Sequence, residues 1–461
     1  MDPPPDPSSS PTMPSASISA PTKAHHSPRI FLRMNPLIFS LGLVATLLTT
    51  QAASLLLKDG WIFTASGPIL TNASIFIRDG RIEKVGAGLT DKADTVVELK
   101  GQRVFPGLIA PSTVLGLLEI DALRATRDTT EVGEYSADVS AWIAVNPDSE
   151  LIPVARANGY THAHVIPGGG TVSGFSGLIQ LDGWTIEDLT IEKAVALHVQ
   201  WPGFALDTTP QPPGKNAGPS LEDQVRDRDR KLREIDSFFT EATAYSEAKK
   251  VAKEGFKSVP AWEAMLPVVR KERPLWIHVN EARGIRSAAE WSVRRGFKAI
   301  IAGGRDAWRE AAYLAEHHIP VAYEHVFTQP ARDTDAYDVH YSAAAVLNKA
   351  GVLVAFSEGT GQFGASQIRN IPYSAAQARA FGLPYDEAVR GLTLNAARML
   401  GVSDRLGSIE AGKEASLFVA DGDVLDLKAT VTRMWIRGRE IDLSSRHTRL
   451  YEKYRKRPTK Q

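Results

Sequence analysis

The 461-residue chain contains no cysteine. That excludes disulfides, thiolate zinc sites, a cysteine nucleophile and a lipid-bearing N-terminal cysteine, so any metal must be held by histidine and carboxylate. Neither sign of charge is in excess, because 53 Lys and Arg balance 53 Asp and Glu. The balance gives no electrostatic reason to expect nucleic acid or an anionic membrane as partner. A long apolar run is missing as well: Pro36–Leu48 is far shorter than the roughly 20 residues a bilayer span requires. With 43% hydrophobic residues, a chain of this length can still bury a large core and build one big domain plus a smaller one.

Residues 1–28 are rich in proline and serine and too poor in large apolar residues to fold. Arg29 and Arg33, the apolar run to Leu48 and the small residues Ala52 and Ala53 then follow the order of a secretory signal. Translation from Met34 would place that signal at the start of the chain. The expected mature protein begins near Ser54, is periplasmic or secreted, and carries no membrane span.

From Ser54 the chain alternates short apolar runs, with Asp-Gly at 59–60 and 79–80 as hairpin signals. "GSIEAGKEASLFVADGD" and "VTRMWIRGREI" repeat the strand–turn–strand pattern near the other end. Two β-rich ends most simply join into one small composite β-sandwich. Between them, strands expected at 104–109, 161–166, 177–181, 195–199, 274–279, 297–302, 319–323 and 352–357 alternate with helical stretches. That is the pattern of an α/β fold, a TIM-like (β/α)8 barrel with its site at the C-terminal strand ends. A charged helix over 220–257 fits an outer layer or a lid. The expected organisation is an extension with signal peptide (1–53), the N-terminal part of the sandwich (54–103), the barrel (104–403), the C-terminal part of the sandwich (404–445) and a basic tail (446–461).

"DGRIEKVGAG", "VFPGLIAPS", "ARANGYTHAHVIPGGGTVSG", "LTLNAARMLGV" and "DRLGSIEAGKEASLFVADGD" together resemble the amidohydrolase superfamily, nearest its imidazolonepropionase-like branch. The resemblance runs from about Ser54 to Glu440. It implies a metal-centred barrel that cleaves non-peptide C–N bonds, often in cyclic amides. In such sites the metal activates water and polarises the carbonyl while a carboxylate shuttles the proton.

The ligands that the resemblance implies are mostly replaced. Where the family carries a His-x-His pair on its first barrel strand, this chain has Ser112 and Val114, with Ala110 in place of the usual preceding Asp. "PLWIHVNEARG" puts His278 at a metal position and Glu281 where some members contact substrate. The sixth strand offers Gly303 and Gly304 instead of a histidine. The eighth offers Ser357 and Glu358 in place of a catalytic Asp. His198, on the fourth strand, is the second metal candidate. The His162–His164 pair has ligand spacing but lies on the second strand; His325 is on the functional rim, and His317 and His318 precede their strand at the opposite end.

Two glycine-rich stretches read as turns. Gly407–Ala415 nearly matches a phosphate-binding loop, yet Glu414 replaces the Ser or Thr that would hold Mg²⁺ and a strand follows. Pro167–Gly174 fits a strand-end loop better than an anion cradle. Two functional readings stay open. One is a hydrolase of non-peptide C–N bonds in a cyclic amide or related small substrate, with Glu358 and Glu281 as catalytic carboxylates and at most one divalent metal, zinc by ligand type, on His278 and His198. The other is a metal-free, inactive barrel that binds a small ligand or regulates an active paralogue as a homo- or hetero-oligomer partner. For the export signal, N-terminal sequencing of secreted material should start near Ser54; an intact Met1 or Met34 terminus would sink the expectation.

Overall fold

Two stretches of the chain that are far apart in sequence meet in one sheet. In the computed structural model, which describes residues 54–209, 218–252, 255–361 and 363–458, the order of its strands is Arg439–Glu440, Val431–Ile436, Leu417–Ala420, Arg103–Pro106, Ser54–Ile62, Leu70–Arg78 and Arg81–Ala87. Thr95–Glu98 pairs parallel to Ser54–Ile62 off this path. The signal and extension expected over 1–53 lie outside the described residues. The two ends therefore share one eight-stranded sheet. Its join is apolar: Phe63 stacks on Phe105 at 4.2 Å and Phe105 on Phe418 at 5.5 Å.

The two Asp-Gly pairs part company. Asp79 and Gly80, both with positive φ, close the hairpin between Leu70–Arg78 and Arg81–Ala87. Asp59 also has positive φ, yet Asp59–Gly60 is no hairpin turn. It lies inside Ser54–Ile62, where the pairing register shifts between Leu57 and Gly60, so the left-handed residue makes a bulge.

The strand expected at 104–109 divides in two. Arg103–Pro106 stays with the composite sheet, and Leu108–Thr113 opens the next one. Gly107 makes the switch possible, because a Cβ there would lie 2.0 Å from Thr161 Oγ1.

The central segment holds two sheets. One runs Thr190–Glu192, Gly177–Gln180, Tyr160–Val165, Leu108–Thr113. The other runs Val354–Phe356, Val321–Tyr323, Ala299–Gly303, Leu275–Val279, Leu197–Gln200, Val172–Phe175. Strand is present at each of the eight expected places, but the third runs antiparallel to both neighbours. The reason is length. Six residues, Ile166 to Thr171, separate Val165 from Val172, whereas a parallel crossover needs a dozen or more. The reversed chain then bends at Ser176 and serves both sheets. At the far edges, the Ser357 hydroxyl donates to the Ser112 carbonyl at 3.1 Å. Helices cover the outside, as expected for a mixed α/β fold.

Leu221–Val251 is one of them, started by Ser220 Oγ accepting from Asp223 N–H at 3.1 Å. It buries Ile235, Phe239 and Ala242, sets Phe239 edge-on to Trp291 at 5.0 Å, and ties Asp236 to Trp291 Nε1 at 2.9 Å. That makes it an outer layer on helix Ala282–Arg295. The basic tail carries an exposed helix, Arg446–Arg455. No described helix is long and apolar enough to cross a membrane.

Because Leu417–Ala420 lies between strands from both halves of the composite sheet, removing residues 405–440 should bare the apolar faces of the first strands and yield insoluble protein. A soluble truncation that melts cooperatively would refute that dependence. In the full chain, Phe418→Ala should cost about 3–5 kcal/mol in urea denaturation, since its ring is fully buried.

Candidate functional site

Three histidines cluster where the two central sheets meet. His164 ends the outward run of Tyr160–Val165, His198 sits in Leu197–Gln200, and His278 in Leu275–Val279. Ring centroids are 5.6 Å apart for His164 and His198, and 5.2 Å for His198 and His278. Trp276 meets His164 edge-on at 4.8 Å. The two metal candidates of the sequence, His198 and His278, are thus brought together, with Nδ1 of the first 2.9 Å from Nε2 of the second.

Burial sets the charge of this row. It lowers His164 and His278 to about 4 and His198 well below the usual imidazole value; the neighbouring His278 then lowers His198 further. All three are neutral at pH 7. A carbonyl can only accept, so His164 Nδ1–H donates to Pro111 O at 2.6 Å, which fixes the tautomer. Nε2 then accepts from the Ser176 hydroxyl, also at 2.6 Å. Both nitrogens of His164 are therefore spent within the protein. His198 keeps one buried nitrogen, Nε2, with no partner.

The "HAH" spacing does not make a ligand pair. His162 Nδ1 is 2.9 Å from Thr161 Oγ1, and its value, lowered to about 3, answers to burial and to the charges of Arg405 and Arg437 rather than to the row. His325 donates from Nε2 to Asn280 Oδ1 at 2.7 Å and is likewise neutral, lowered to about 4 by burial. Asn280 also explains the missing histidine on the sixth strand. A Cβ at Gly303 would lie 2.6 Å from Asn280 Oδ1, so that amide already fills the space a side chain would need.

The carboxylates divide. Glu358 follows the last strand, and burial raises it to about 7. Beside it lies a residue that the sequence reading missed, Glu324, raised to about 8 by burial and then by Glu358. Its carboxyl rests on Gly359, where a Cβ would meet Glu324 Oε2 at 2.2 Å, and its Oε1 has no partner. The signal available was an acid one residue past an apolar strand, at the catalytic end of a barrel. Glu281 precedes helix Ala282–Arg295 and makes no hydrogen bond to the histidine row. Ser112 and Val114 are buried, Ser112 Oγ without a partner and Val114 within the apolar core. Lys413, the P-loop-like lysine, is turned inward onto Ser408 Oγ and pairs with Glu410 at 3.2 Å, so no phosphate cradle forms.

Residues 270–441 match the model of the amidohydrolase family. An amidohydrolase from Thermotoga maritima of known structure is 26% identical, with a TM-score of 0.72 over 84% of this chain and 99% of that one. Over that stretch and in its fold the chain resembles the amidohydrolase superfamily. The superfamily's fold is also seen in an adenosine deaminase from Xanthomonas campestris solved with bound zinc, 16% identical, TM-score 0.50, over 87% of this chain and 97% of that one. A curated relative, amidohydrolase tasK of Hapsidospora irregularis, is 37% identical over 70 residues, 15% of this chain. That stretch spans only 7% of the relative's length.

Amidohydrolases typically hold a divalent metal, and the donors here can be tested for one. A catalytic zinc takes three protein ligands and leaves one position open. Among the described residues, no group of three or more His, Cys, Asp or Glu side chains is placed to hold a metal ion. His198 and His278 face each other at hydrogen-bond distance, His164 is committed elsewhere, and the buried Ser112 and Val114 offer neither imidazole nor carboxylate. This donor set does not fit the superfamily's metal centre.

The neutral row predicts a pH dependence. Below pH 6.5 the unfolded chain protonates histidines that the folded chain keeps neutral, so stability is full above 6.5 and is lost as pH falls towards about 4. For fully buried His164 the loss is on the order of 3 kcal/mol. Urea titrations at pH 7 and 4.5 should show His164→Gln losing about 2 kcal/mol less than wild type over that interval. An equal loss in both proteins would contradict the assignment.

Proposed function

We propose that this chain is an amidohydrolase-superfamily barrel that recognises a small neutral amide of the cyclic class without hydrolysing it at a metal centre. One observation carries the reading: Ser112 Oγ, His198 Nε2 and Glu324 Oε1 are buried polar atoms without partners. Contacts link the strand ends that bear them. Pro111, next to Ser112, accepts from His164, which neighbours His198. On the other side, Ser357 bonds Ser112, and Gly359 underlies Glu324.

An unpaired buried donor or acceptor costs about 1–3 kcal/mol, which an amide's carbonyl and N–H would offset. The atoms are uncharged at neutral pH, because the imidazole is neutral and Glu324 stays protonated below about 8. An uncharged, dry set favours a neutral ligand over an ion. Glu358, titrating near 7, supplies an acceptor whose charge changes at physiological pH.

In this reading the two central sheets act as one (β/α)8-type barrel capped by the composite β-sandwich. The reading puts the chain in the imidazolonepropionase-like branch. The exported chain, freed of residues 1–53, works in the periplasm or outside the cell, alone or paired with an active amidohydrolase. A second reading is favoured by the apposition of His198 and His278 at 2.9 Å. There, one zinc on these two rings with Glu358 would serve a hydrolase of non-peptide C–N bonds.

Elemental analysis of the purified chain beside His278→Ala separates the two. The binding reading expects far less than one zinc per chain in either protein, with a lactam probe bound and recovered uncleaved. One equivalent of zinc in wild type that is lost in the variant would establish the mononuclear hydrolase instead. Two metals per chain would overturn both.

A further inference from the structure

A well-formed cavity lies at the opposite end of the strands. Its volume is about 560 Å³, within the range of small-molecule sites. The lining comes from residues that precede strands: Val195, Pro274, Lys298, Ile319 and Leu353, closed by Arg398–Gly401 at the end of helix Leu394–Met399. The floor is apolar, with Phe297, Ile300, Ile319, Leu353 and Leu400 facing it.

The polar part of the lining is one-sided. Three permanent cations, Arg273, Lys298 and Arg398, face a single carboxylate, Glu272. Arg273 already pairs with Glu192 at 3.6 Å. Arg398 reaches only Asn395 Oδ1, at 3.5 Å, and Lys298 shares only its backbone carbonyl, accepting from Leu275 N–H. Two cations without carboxylate partners therefore border an apolar hollow.

We infer that this cavity is a second binding site, distinct from the histidine row, for an amphipathic monocarboxylate. The apolar tail covers Ile300, Ile319 and Leu353, and the carboxylate meets Lys298 and Arg398. A guanidinium holds a carboxylate through two parallel hydrogen bonds, and an ammonium adds a point charge. A cationic amphiphile is repelled by the same pair, and a carboxylate without a tail leaves the floor wet. The wall between this site and the histidine row is the buried cluster that contains Trp276, Ile300, Ala322 and Ala396, so neither site needs the other to be occupied.

The probe is octanoate, titrated calorimetrically into the whole chain, with octylamine and acetate as controls. Octanoate should bind while the controls do not. Lys298→Glu and Arg398→Glu, at exposed positions where folding is preserved, should each weaken octanoate by about tenfold or more. Leu353→Trp, which fills the floor, should block it, with thermal melting confirming the fold. His278→Ala should leave octanoate affinity unchanged, which keeps this result independent of the amide-binding reading. No octanoate binding, equal binding of octylamine, unchanged affinity in both charge reversals, or loss in His278→Ala would each overturn the assignment.

Discussion

A neutral imidazole buried in a sheet has one N–H to give and one lone pair to fill, and the site is organised around that need. His164 meets it completely, through Pro111 and Ser176. His198 and His278 meet part of it through each other. Water cannot compensate at these depths, so every ring is forced neutral and each nitrogen is either committed or conspicuous. The same rule governs the other side of the site, where Glu324 answers burial and the neighbouring Glu358 by keeping its proton. The result is a set of hydrogen-bonding groups with little charge.

Much of the fold was legible because it is written in periodicity. Apolar runs bounded by turns gave a strand at each of the eight central places, and the pairing of the chain ends followed from two β-rich stretches that need a common partner. The direction of the third strand was not read. It depends on counting the six residues of "IPGGGT" against the reach of a crossover, a constraint of connection rather than of pattern. Asp59–Gly60 misled for a related reason. A left-handed residue can close a hairpin or bulge a strand, and only the partner strand decides which.

The site was legible in part. His278 and His198, singled out by their positions against the family pattern, lie at hydrogen-bond distance from each other. Glu324 was passed over because one acid in one sequence carries no mark of depth; its proximity to Glu358 arises from the packing of two strand ends onto Gly359. His164 was undervalued because its partners, Pro111 and Ser176, lie on different elements and no spacing announces them. Asn280 belongs to the same class. Its amide fills the volume above Gly303, which turns what looks like a simple loss of histidine into a substitution by a neighbour.

The placement of Leu417–Ala420 between Arg103–Pro106 and Val431–Ile436 has a consequence for the order of events during synthesis. Val104 pairs with Val419, so the first strands to be made wait for almost the whole chain before they gain this neighbour. Until then Arg103–Pro106 has an open edge, and Phe105 lacks the Phe418 ring that stacks on it. Contacts of such long range close slowly, because the loop entropy must be met before the pairing stabilises anything. The nascent chain therefore spends its synthesis with an adhesive edge exposed, and a holding chaperone that shields early strands would have more influence on yield than any change at the histidines.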